Sequence, residues 1–233
     1  MRCSRFAQHA IPYVDLLVAT SETLHLAKGS PVSQQEFWDE RYGQSEYIYG
    51  TEPNSFLTAS EFQLPPSGRV LCLCEGEGRN AVFLARQGHL VTGVDVSREG
   101  KKKAERLANE QGVSIEYHLS DLCAFDFGVA QWDAIISISA HLPSPVQADV
   151  YPRVFAALKP GGILLLESYH PRQIEYGTGG PKDVDMLMTL ETLHRHFPTL
   201  EVQHEAELER EVTEGTFHTG NAFVTQFIGR KPT

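Results

Sequence analysis

The chain has 233 residues, 41% of them hydrophobic and 21% charged, proportions typical of one soluble globular domain with a sizeable core. No apolar run approaches the roughly 18 to 20 residues of a membrane span, and the net charge of −10 disfavours non-specific binding to nucleic acid or to an anionic membrane. We therefore expect a cytoplasmic protein with neither nucleic acid nor membrane as a partner.

Residues 1–32 differ in character from the rest of the chain. Arg2 and Arg5 stand in a stretch without acids, and the short apolar segment 11–17 is interrupted by Pro12 and Asp15. These interruptions argue against a signal peptide. We expect a loosely ordered N-terminal extension and a domain that begins at residue 33.

The domain opens with a helix and an aromatic segment. Ser33 and Glu36 form a capping-box pattern that predicts a helix reaching about Arg41, and a loop over residues 43–54 follows. The aromatic residues of this segment are Trp38, Tyr42, Tyr47 and Tyr49. Either their rings cover a ligand or they pack the helix on the domain, and both interpretations stay open.

Strands and helices then alternate. Apolar runs predict strands over 69–74, 89–94, 114–118, 132–138 and 163–168, with helices over 80–87, 97–111 and 144–157 between them. Such alternation predicts an α/β fold with a parallel sheet covered on both faces. After residue 169, helical spacing over 184–197 and two strands over 200–212 and 222–228 predict a hairpin that adds antiparallel pairing at the sheet edge.

The four cysteines are interpreted as structural. Cys72 and Cys74 alternate on the first predicted strand, which places both side chains on one face, and Cys3 and Cys123 lie elsewhere. No second Cys/His pair has ligand spacing, so we predict small buried side chains and no metal site.

A glycine loop follows the first strand. Gly76-Glu77-Gly78-Arg79-Asn80-Ala81 has the G-x-G-x-x-A pattern of a dinucleotide-binding loop. About 20 residues separate Glu75 from Asp95, the spacing of an acid that accepts both hydroxyls of a ribose. Alone, these features are compatible with NAD, FAD or S-adenosylmethionine.

The charges of the loop favour one of these cofactors. A diphosphate beside Glu75 and Glu77 is repelled by about a kcal/mol per carboxylate. S-adenosylmethionine instead presents a sulfonium cation, an ammonium group and one carboxylate, which the helix N-terminus and Arg79 can serve. Glu75, at the strand end, is the stronger candidate for contact, whereas Glu77 can also point to solvent.

Four segments in order carry a family resemblance: VLCLCEGEGRNAVFLARQGHLVTGVDVS, SDLCAFDF, WDAIISI and ALKPGGILLLES. They resemble the successive motifs of class I S-adenosylmethionine-dependent methyltransferases over residues 69–168. GRNA and the upstream W-D-x-R-Y are similar to the tellurite-resistance-like and thiopurine-methyltransferase-like small-molecule branch. The resemblance implies a Rossmann-like three-layer sandwich with a seven-stranded, mostly parallel sheet and one antiparallel strand.

The resemblance also implies cofactor contacts. Asp95 takes the ribose hydroxyls, Val96 packs on adenine, and Asp121 accepts from the adenine amino group beside a backbone contact from Leu122. Ser139 faces the methyl region. The full predicted set of cofactor-binding residues is Glu75, Gly76, Gly78, Arg79, Asn80, Asp95, Val96, Asp121, Leu122 and Ser139. The family more often has Asp at position 75.

Catalysis by such a protein rests on alignment and desolvation, because the sulfonium already carries a good leaving group. A base is needed only for a protonated acceptor. His141, after the fourth strand, is the candidate, with a hydrogen-bonded structural histidine as the alternative, and His170 is a weaker one. The anionic chain and short insertions favour a small-molecule acceptor over a polymer.

The sequence therefore predicts a small-molecule methyltransferase over residues 33–233. Within it, 33–57 form the N-terminal helix and aromatic lid, 69–168 the cofactor-binding core, and 169–233 the C-terminal loop, helix and hairpin. A nicotinamide- or flavin-dependent oxidoreductase and a non-catalytic cofactor-binding protein remain alternatives.

Overall fold

The computed structural model describes residues 33–233, and the predicted extension over 1–32 lies outside the described residues. Seven strands form one sheet in the order β3-β2-β1-β4-β5-β7-β6. Their bounds are β1 Arg69–Leu73, β2 Leu90–Asp95, β3 Glu116–Leu119, β4 Trp132–Ile138, β5 Leu158–Tyr169, β6 Glu201–Glu214 and β7 His218–Arg230.

Six α-helices connect and cover these strands in the described part of the chain. Their bounds are α1 Gln34–Tyr42, α2 Ser55–Ser60, α3 Arg79–Arg86, α4 Arg98–Glu110, α5 Ser144–Ala157 and α6 Leu190–His196. Ser33 caps α1 through the predicted capping box with Glu36, and Ser97 caps α4 by accepting from the amide of Gly100. Within residues 33–233, no helix is long and apolar enough to cross a membrane.

Strand direction agrees with the predicted fold class. Strands β1 to β5 pair in parallel, whereas β7 pairs antiparallel with both β5 and β6. One strand of seven therefore runs against the others, as predicted. The chain order reverses between β1 and β4, and in open sheets of this kind ligands bind beyond the carboxyl ends at such a switch point.

The two faces of the sheet bury separate apolar cores. Leu71 and Leu73 face the core that contains α5 and α6, whereas Val70 and Cys72 face the core beneath α2 and α3. Cys74 lies one residue beyond the strand with φ +50° and packs with the first of these cores. The prediction that Cys72 and Cys74 share a face is therefore wrong, because the alternation of side chains stops where the strand ends.

The segment predicted as one helix over 184–197 is divided. Val184–Met186 forms a 3₁₀ turn, and α6 starts only at Leu190, after Thr189 accepts from the amide of Thr192. The backbone between them is extended because Met188 hydrogen-bonds Tyr169 and Thr225. Sheet contacts thus override helical spacing at this position.

Candidate functional site

The glycine loop connects β1 to α3. Gly76 has φ +58° and Gly78 has φ +92°, conformations that glycine adopts with little strain. A Cβ at Gly78 would lie 2.6 Å from the Cα of Ala104, so a glycine here lets α3 pack closely on α4. The Gly76 amide donates to Oδ2 of Asp95 at 3.0 Å, which ties the loop to the end of β2.

Asp95 is buried where β2 ends. Its Oδ1 accepts from the amide of Ser97 at 2.8 Å while Oδ2 accepts from Gly76. Burial raises the pKa of Asp95 to about 6, and these backbone hydrogen bonds act in the opposite direction. A carboxylate has about four acceptor sites, and these backbone amides do not fill all of them.

Glu75 is buried beneath the start of α3. Its Oε1 accepts from the amide of Ala81 at 2.7 Å, and this bond caps the helix because the N-cap residue, Gly78, has no side chain to do so. Burial raises the pKa of Glu75 to about 7, against the hydrogen bond from Ala81 and the charge of Arg79. The carboxyl group therefore ionises close to neutral pH.

Glu77 does not point to solvent. Its side chain is buried and pairs with Nζ of Lys103 at 2.8 Å. Its two carboxylate oxygens also accept from the amides of Ile48 and Tyr49, at 3.2 and 3.1 Å. The solvent-facing interpretation is wrong, because the aromatic segment folds back over the loop and supplies hydrogen-bond donors to Glu77.

Arg79 and Asn80 are also occupied by protein partners. Nη2 of Arg79 lies 2.5 Å from Oε2 of Glu214 in a buried ion pair. Oδ1 of Asn80 accepts from the amide of Asn54 at 3.0 Å. Both residues therefore hold neighbouring segments against the glycine loop.

The remaining predicted residues lie along the carboxyl ends of the strands. Val96 is half-buried after Asp95, and Leu122 is buried. Asp121 is exposed, and its carboxylate accepts from the amide of Cys123 at 2.7 Å. Ser139 follows β4 with φ +55°, a left-handed conformation that costs a non-glycine residue energy and is concentrated at functional sites.

A small cavity lies beside these residues, at the ends of β4, β5 and the C-terminal hairpin. It encloses about 210 Å³ of empty space, open solvent at its mouth included. The space free for a water-sized sphere is about 10 Å³, so the cavity has room for about one water molecule and is far smaller than the clefts of about 300–1,000 Å³ that hold drug-sized ligands. The lining residues are Ser139, Glu167, Ser168, Tyr169, Arg210, Val212, Glu214 and Val224.

Charged side chains of the cavity wall form a buried network. Nη2 of Arg210 lies 2.8 Å from both Glu167 and Glu214. Nδ2 of Asn54 donates to the same two carboxylates at 2.7 and 2.9 Å, and Gln226 donates to Glu167 at 2.6 Å. Each carboxylate thus has several donors, as buried charges require.

Sequence reasoning missed this wall. In β6 the inward-facing positions include the apolar residues Leu208 and Val212 together with Arg210 and Glu214. Charged residues at apolar positions of an alternating strand were a signal that could have identified two of its members. Glu167 carried the same signal, since it follows the apolar run 163–166 of the fifth predicted strand, although its partners come from distant parts of the chain.

A row of rings crosses the same region. Tyr49 lies 4.5 Å from His218 between ring centroids, and His218 lies 5.3 Å from Tyr169. Tyr169 stacks on His141 at 5.5 Å. At the other end of the row, the ring of Tyr42 makes an edge contact with the ring of Tyr49, with 6.2 Å between the centroids. The row therefore runs from the glycine loop to the cavity.

Two members of the predicted aromatic lid have other roles. Tyr47 donates to the carbonyl of Lys103 at 3.1 Å, with the guanidinium of Arg106 over its ring, so it packs on α4. Trp38 stacks on Tyr42 at 5.3 Å and extends the row outward. Packing therefore accounts for Tyr47 and Trp38, and a covering role for Tyr42 and Tyr49 stays a prediction.

His141 lies behind the cavity wall. Its Nδ1 is 3.1 Å from Oγ of Ser168, and its Nε2 is buried without a hydrogen-bond partner in the described part of the chain. Burial lowers the pKa of His141 to about 4, so the ring is neutral at neutral pH. His170, the weaker candidate, hydrogen-bonds the amide of Arg172 and caps the turn that follows β5.

The residues around the loop fit a cationic nucleoside cofactor better than a diphosphate. Arg79 and Lys103 lie at the loop, but each is held in a buried ion pair. A diphosphate would therefore meet the carboxylates of Glu75 and Asp95 with both cations already engaged, whereas a sulfonium or ammonium group is attracted to them. Among residues 33–233 no cluster of His, Cys, Asp or Glu could hold a metal ion.

Comparison with known proteins gives a match over part of the chain. Residues 70–162, less than half of the chain, match the family described as a methyltransferase domain. This part of the chain is therefore similar to a methyltransferase domain.

Among relatives, an uncharacterised methyltransferase of Synechocystis sp. is 31% identical over 53% of this chain and 57% of its own length. The chain spans about half the length of the curated relatives that it matches.

Solved structures support the fold. A protein studied in the conversion of a disulfide bond into a thioacetal during echinomycin biosynthesis has a TM-score of 0.70 at 18% identity, covering 86% of this chain and 92% of its own. A SAM-dependent methyltransferase of Methanosarcina mazei has a TM-score of 0.62 at 18% identity, covering 78% of this chain and 99% of its own. At these identities the likeness is one of fold.

Proposed function

We propose that the protein is an S-adenosylmethionine-dependent methyltransferase acting on a small polar molecule. The observation that carries the proposal is the set of charges at the glycine loop: Glu75 and Asp95 are buried at strand ends, and the adjacent cations Arg79 and Lys103 are already paired. These charges attract a bound cation such as the sulfonium of S-adenosylmethionine, and they repel the diphosphate of NAD or FAD.

In this proposal, residues at the strand ends hold the cofactor. Asp95 accepts the ribose hydroxyls, Val96 packs on adenine, and Asp121 with the backbone of Leu122 recognises the adenine edge. Gly76 and Gly78 allow close approach of the backbone, Glu75 supplies negative charge, and Ser139 faces the methyl region. Arg79 and Asn80 act by positioning, because Nη2 of Arg79 is paired with Glu214 and Oδ1 of Asn80 accepts from the amide of Asn54.

The bound cofactor supplies an electrophilic methyl group with a good leaving group. The chain's own residues then align the acceptor for in-line displacement and exclude water from it. Neutral His141 is the proposed proton acceptor for a protonated nucleophile, and its base strength at the site is limited by burial.

The cavity supports a small polar acceptor. Its wall includes Glu167, Arg210 and Glu214, whose polar atoms can hydrogen-bond a polar acceptor and have no counterpart on a prenyl chain or a sterol. Membership in the tellurite-resistance-like or thiopurine-methyltransferase-like branch belongs to the same proposal and rests on the GRNA and W-D-x-R-Y segments.

Calorimetry with four ligands tests the proposal. We expect S-adenosylmethionine and S-adenosylhomocysteine to bind, and NAD and NADH not to bind. Asp95→Ala should weaken both adenosyl ligands at least tenfold because it removes the acceptor for the ribose, while circular dichroism stays that of the folded protein. Tight binding of NADH with no binding of either adenosyl ligand would establish the oxidoreductase alternative instead.

Turnover separates an enzyme from a cofactor-binding protein. Labelled S-adenosylmethionine is incubated with small amines, thiols and carboxylic acids, and with a prenylated quinol and a sterol as apolar controls. Transfer of the labelled methyl group to the small polar compounds supports the proposal. Label only in the apolar compounds contradicts the assignment of the cavity, and no label in any compound supports the non-catalytic alternative.

A further inference from the structure

Glu77 joins the glycine loop to the aromatic segment Glu46–Gly50, which we call the strap. One carboxylate oxygen of Glu77 accepts from Ile48 at 3.2 Å and the other from Tyr49 at 3.1 Å. Lys103 contacts both the carboxylate, at 2.8 Å, and the carbonyl of Glu46, at 2.5 Å. The strap is therefore fixed to the loop by four polar contacts centred on one buried ion pair.

The strap is also held on its other side. The carbonyl of Ile48 accepts from the amide of Thr216 at 2.9 Å, and a Cβ at Gly215 would lie 2.2 Å from the same oxygen. The turn between β6 and β7 thus packs directly on the strap. These contacts leave little freedom to residue 49, which lies between Glu77 and the turn.

Tyr49 consequently lies between the cofactor loop and the cavity. Its backbone is bound to Glu77, the residue between the two glycines. Its hydroxyl accepts from Nη1 of Arg41 at 3.0 Å, and its ring is 4.5 Å from that of His218. An aromatic face fixed at this position is suited to a sulfonium, since a cation is attracted to the electron-rich face of a ring.

We propose that Glu77 is a positioning residue whose role is to fix Tyr49, and that Tyr49 is the aromatic group that favours a sulfonium cofactor over its neutral thioether product. This inference rests on the proposed function. It gives the second glutamate of the loop a role that requires no contact with the cofactor. A protein built in this way binds S-adenosylmethionine better than S-adenosylhomocysteine and releases the product more readily.

The test measures the preference for the sulfonium, defined as the Kd of S-adenosylhomocysteine divided by the Kd of S-adenosylmethionine. We expect Tyr49→Leu to lower this ratio about fivefold to thirtyfold, the effect of losing a desolvated cation–π contact. Tyr49→Phe keeps the ring face and should stay within about twofold of the wild type. Equal weakening of both ligands by Tyr49→Leu would contradict the assignment of Tyr49.

The variant Lys103→Met distinguishes two roles of Glu77: positioning Tyr49, and attracting the sulfonium directly through its charge. Removing this cation leaves more negative charge at the loop, so a purely electrostatic role of Glu77 predicts a higher ratio. Loosening of the strap predicts a lower ratio and faster hydrogen exchange at the amides of Ile48 and Tyr49. Lys102→Met is the matched control, because that side chain is 68% exposed on the same helix and should change neither measurement.

A double variant completes the design. If Glu77 acts through Tyr49, then Glu77→Gln lowers the ratio in the wild-type background and not in the Tyr49→Leu background. An equal effect in both backgrounds would overturn the inference. Failure of the proposed function looks different, since the wild-type protein would then either bind neither adenosyl ligand or bind both and transfer no methyl group.

Discussion

At the scale of single residues, Glu75 and Asp95 share an environment that sets their ionisation. Burial raises the pKa of Glu75 to about 7 and that of Asp95 to about 6. Near neutral pH the protein therefore holds protons at its glycine loop. A cation bound nearby favours the ionised carboxylates, so its binding releases protons.

We expect affinity for S-adenosylmethionine to rise as the pH increases from about 5 to about 8, through the pKa values of Asp95 and Glu75. S-adenosylhomocysteine lacks the positive sulfur and should show a weaker dependence. Calorimetry in two buffers of different ionisation enthalpy counts the protons released. A pH-independent affinity with no proton release would contradict this account of the loop.

Stability of the ligand-free protein should change in the opposite direction. A carboxyl group whose pKa is raised in the folded state binds more protons folded than unfolded, so its contribution falls as the pH rises from the unfolded value of 4.5 through about 7. The variant Glu75→Gln has no ionisable group at this position, so its stability lacks this dependence on pH. Urea unfolding at several pH values should show a flatter profile for this variant than for the wild type.

At the scale of elements, α3 and α4 meet where the glycine loop ends. Gly78 combines φ +92° with close contact to Ala104, while Gly88 has the same φ of +92° and no atom within 4 Å of an added Cβ. The two glycines therefore separate the effect of backbone conformation from the effect of crowding. Gly78 has both constraints and Gly88 only the first.

Alanine at these two positions makes a matched pair. Gly88→Ala should cost about 1 kcal/mol or less, because left-handed strain is partly offset by the lower entropy of the unfolded chain. Gly78→Ala should cost about 1–3 kcal/mol more, since α3 must move away from α4. Free energies of unfolding in urea give both values, and equal costs would show that the helices do not pack as described.

The periodicity of apolar residues predicted most strands and helices, because the residues of each element determine its type. The strands β1, β2 and β4 and the helices α3 and α4 carry strong apolar patterns, with caps at Ser97 and at Gly88. The segment 184–197 was mistaken for one helix because Met188 bonds to β5 and β7, contacts that no local pattern contains. Hydrogen bonds to distant strands therefore determine the conformation of that segment.

At the scale of the whole molecule, the buried charges beside the cavity connect distant parts of the chain. Glu214 in β6 accepts from Arg79 in α3, from Arg210 and from Asn54 before α2. These contacts raise the cost of removing any one partner, because the remaining charges stay buried without compensation. The network therefore holds the C-terminal hairpin against α3 and the segment before α2.

We expect Glu214→Ala to reduce the free energy of unfolding by about 3–5 kcal/mol, since it leaves Arg79 buried without its ion-pair partner and leaves Arg210 with Glu167 alone. Glu211→Ala lies on the same strand with an exposed side chain and should change stability by less than about 0.5 kcal/mol. Urea unfolding measures both. A small cost for Glu214→Ala would mean that water enters the network and solvates the two guanidinium groups.

The amino-acid sequence alone determined the fold class, the glycine loop and the acids at the strand ends, because local periodicity, caps and turns specify these features. Tertiary structure alone decided the partners of the charged residues. Glu75 and Glu77 are two positions apart in one loop, yet one caps a helix and the other holds the strap. Their roles differ because Glu75 binds the nearby amide of Ala81, whereas the partners of Glu77 come from residues 48, 49 and 103, which only folding brings to the loop.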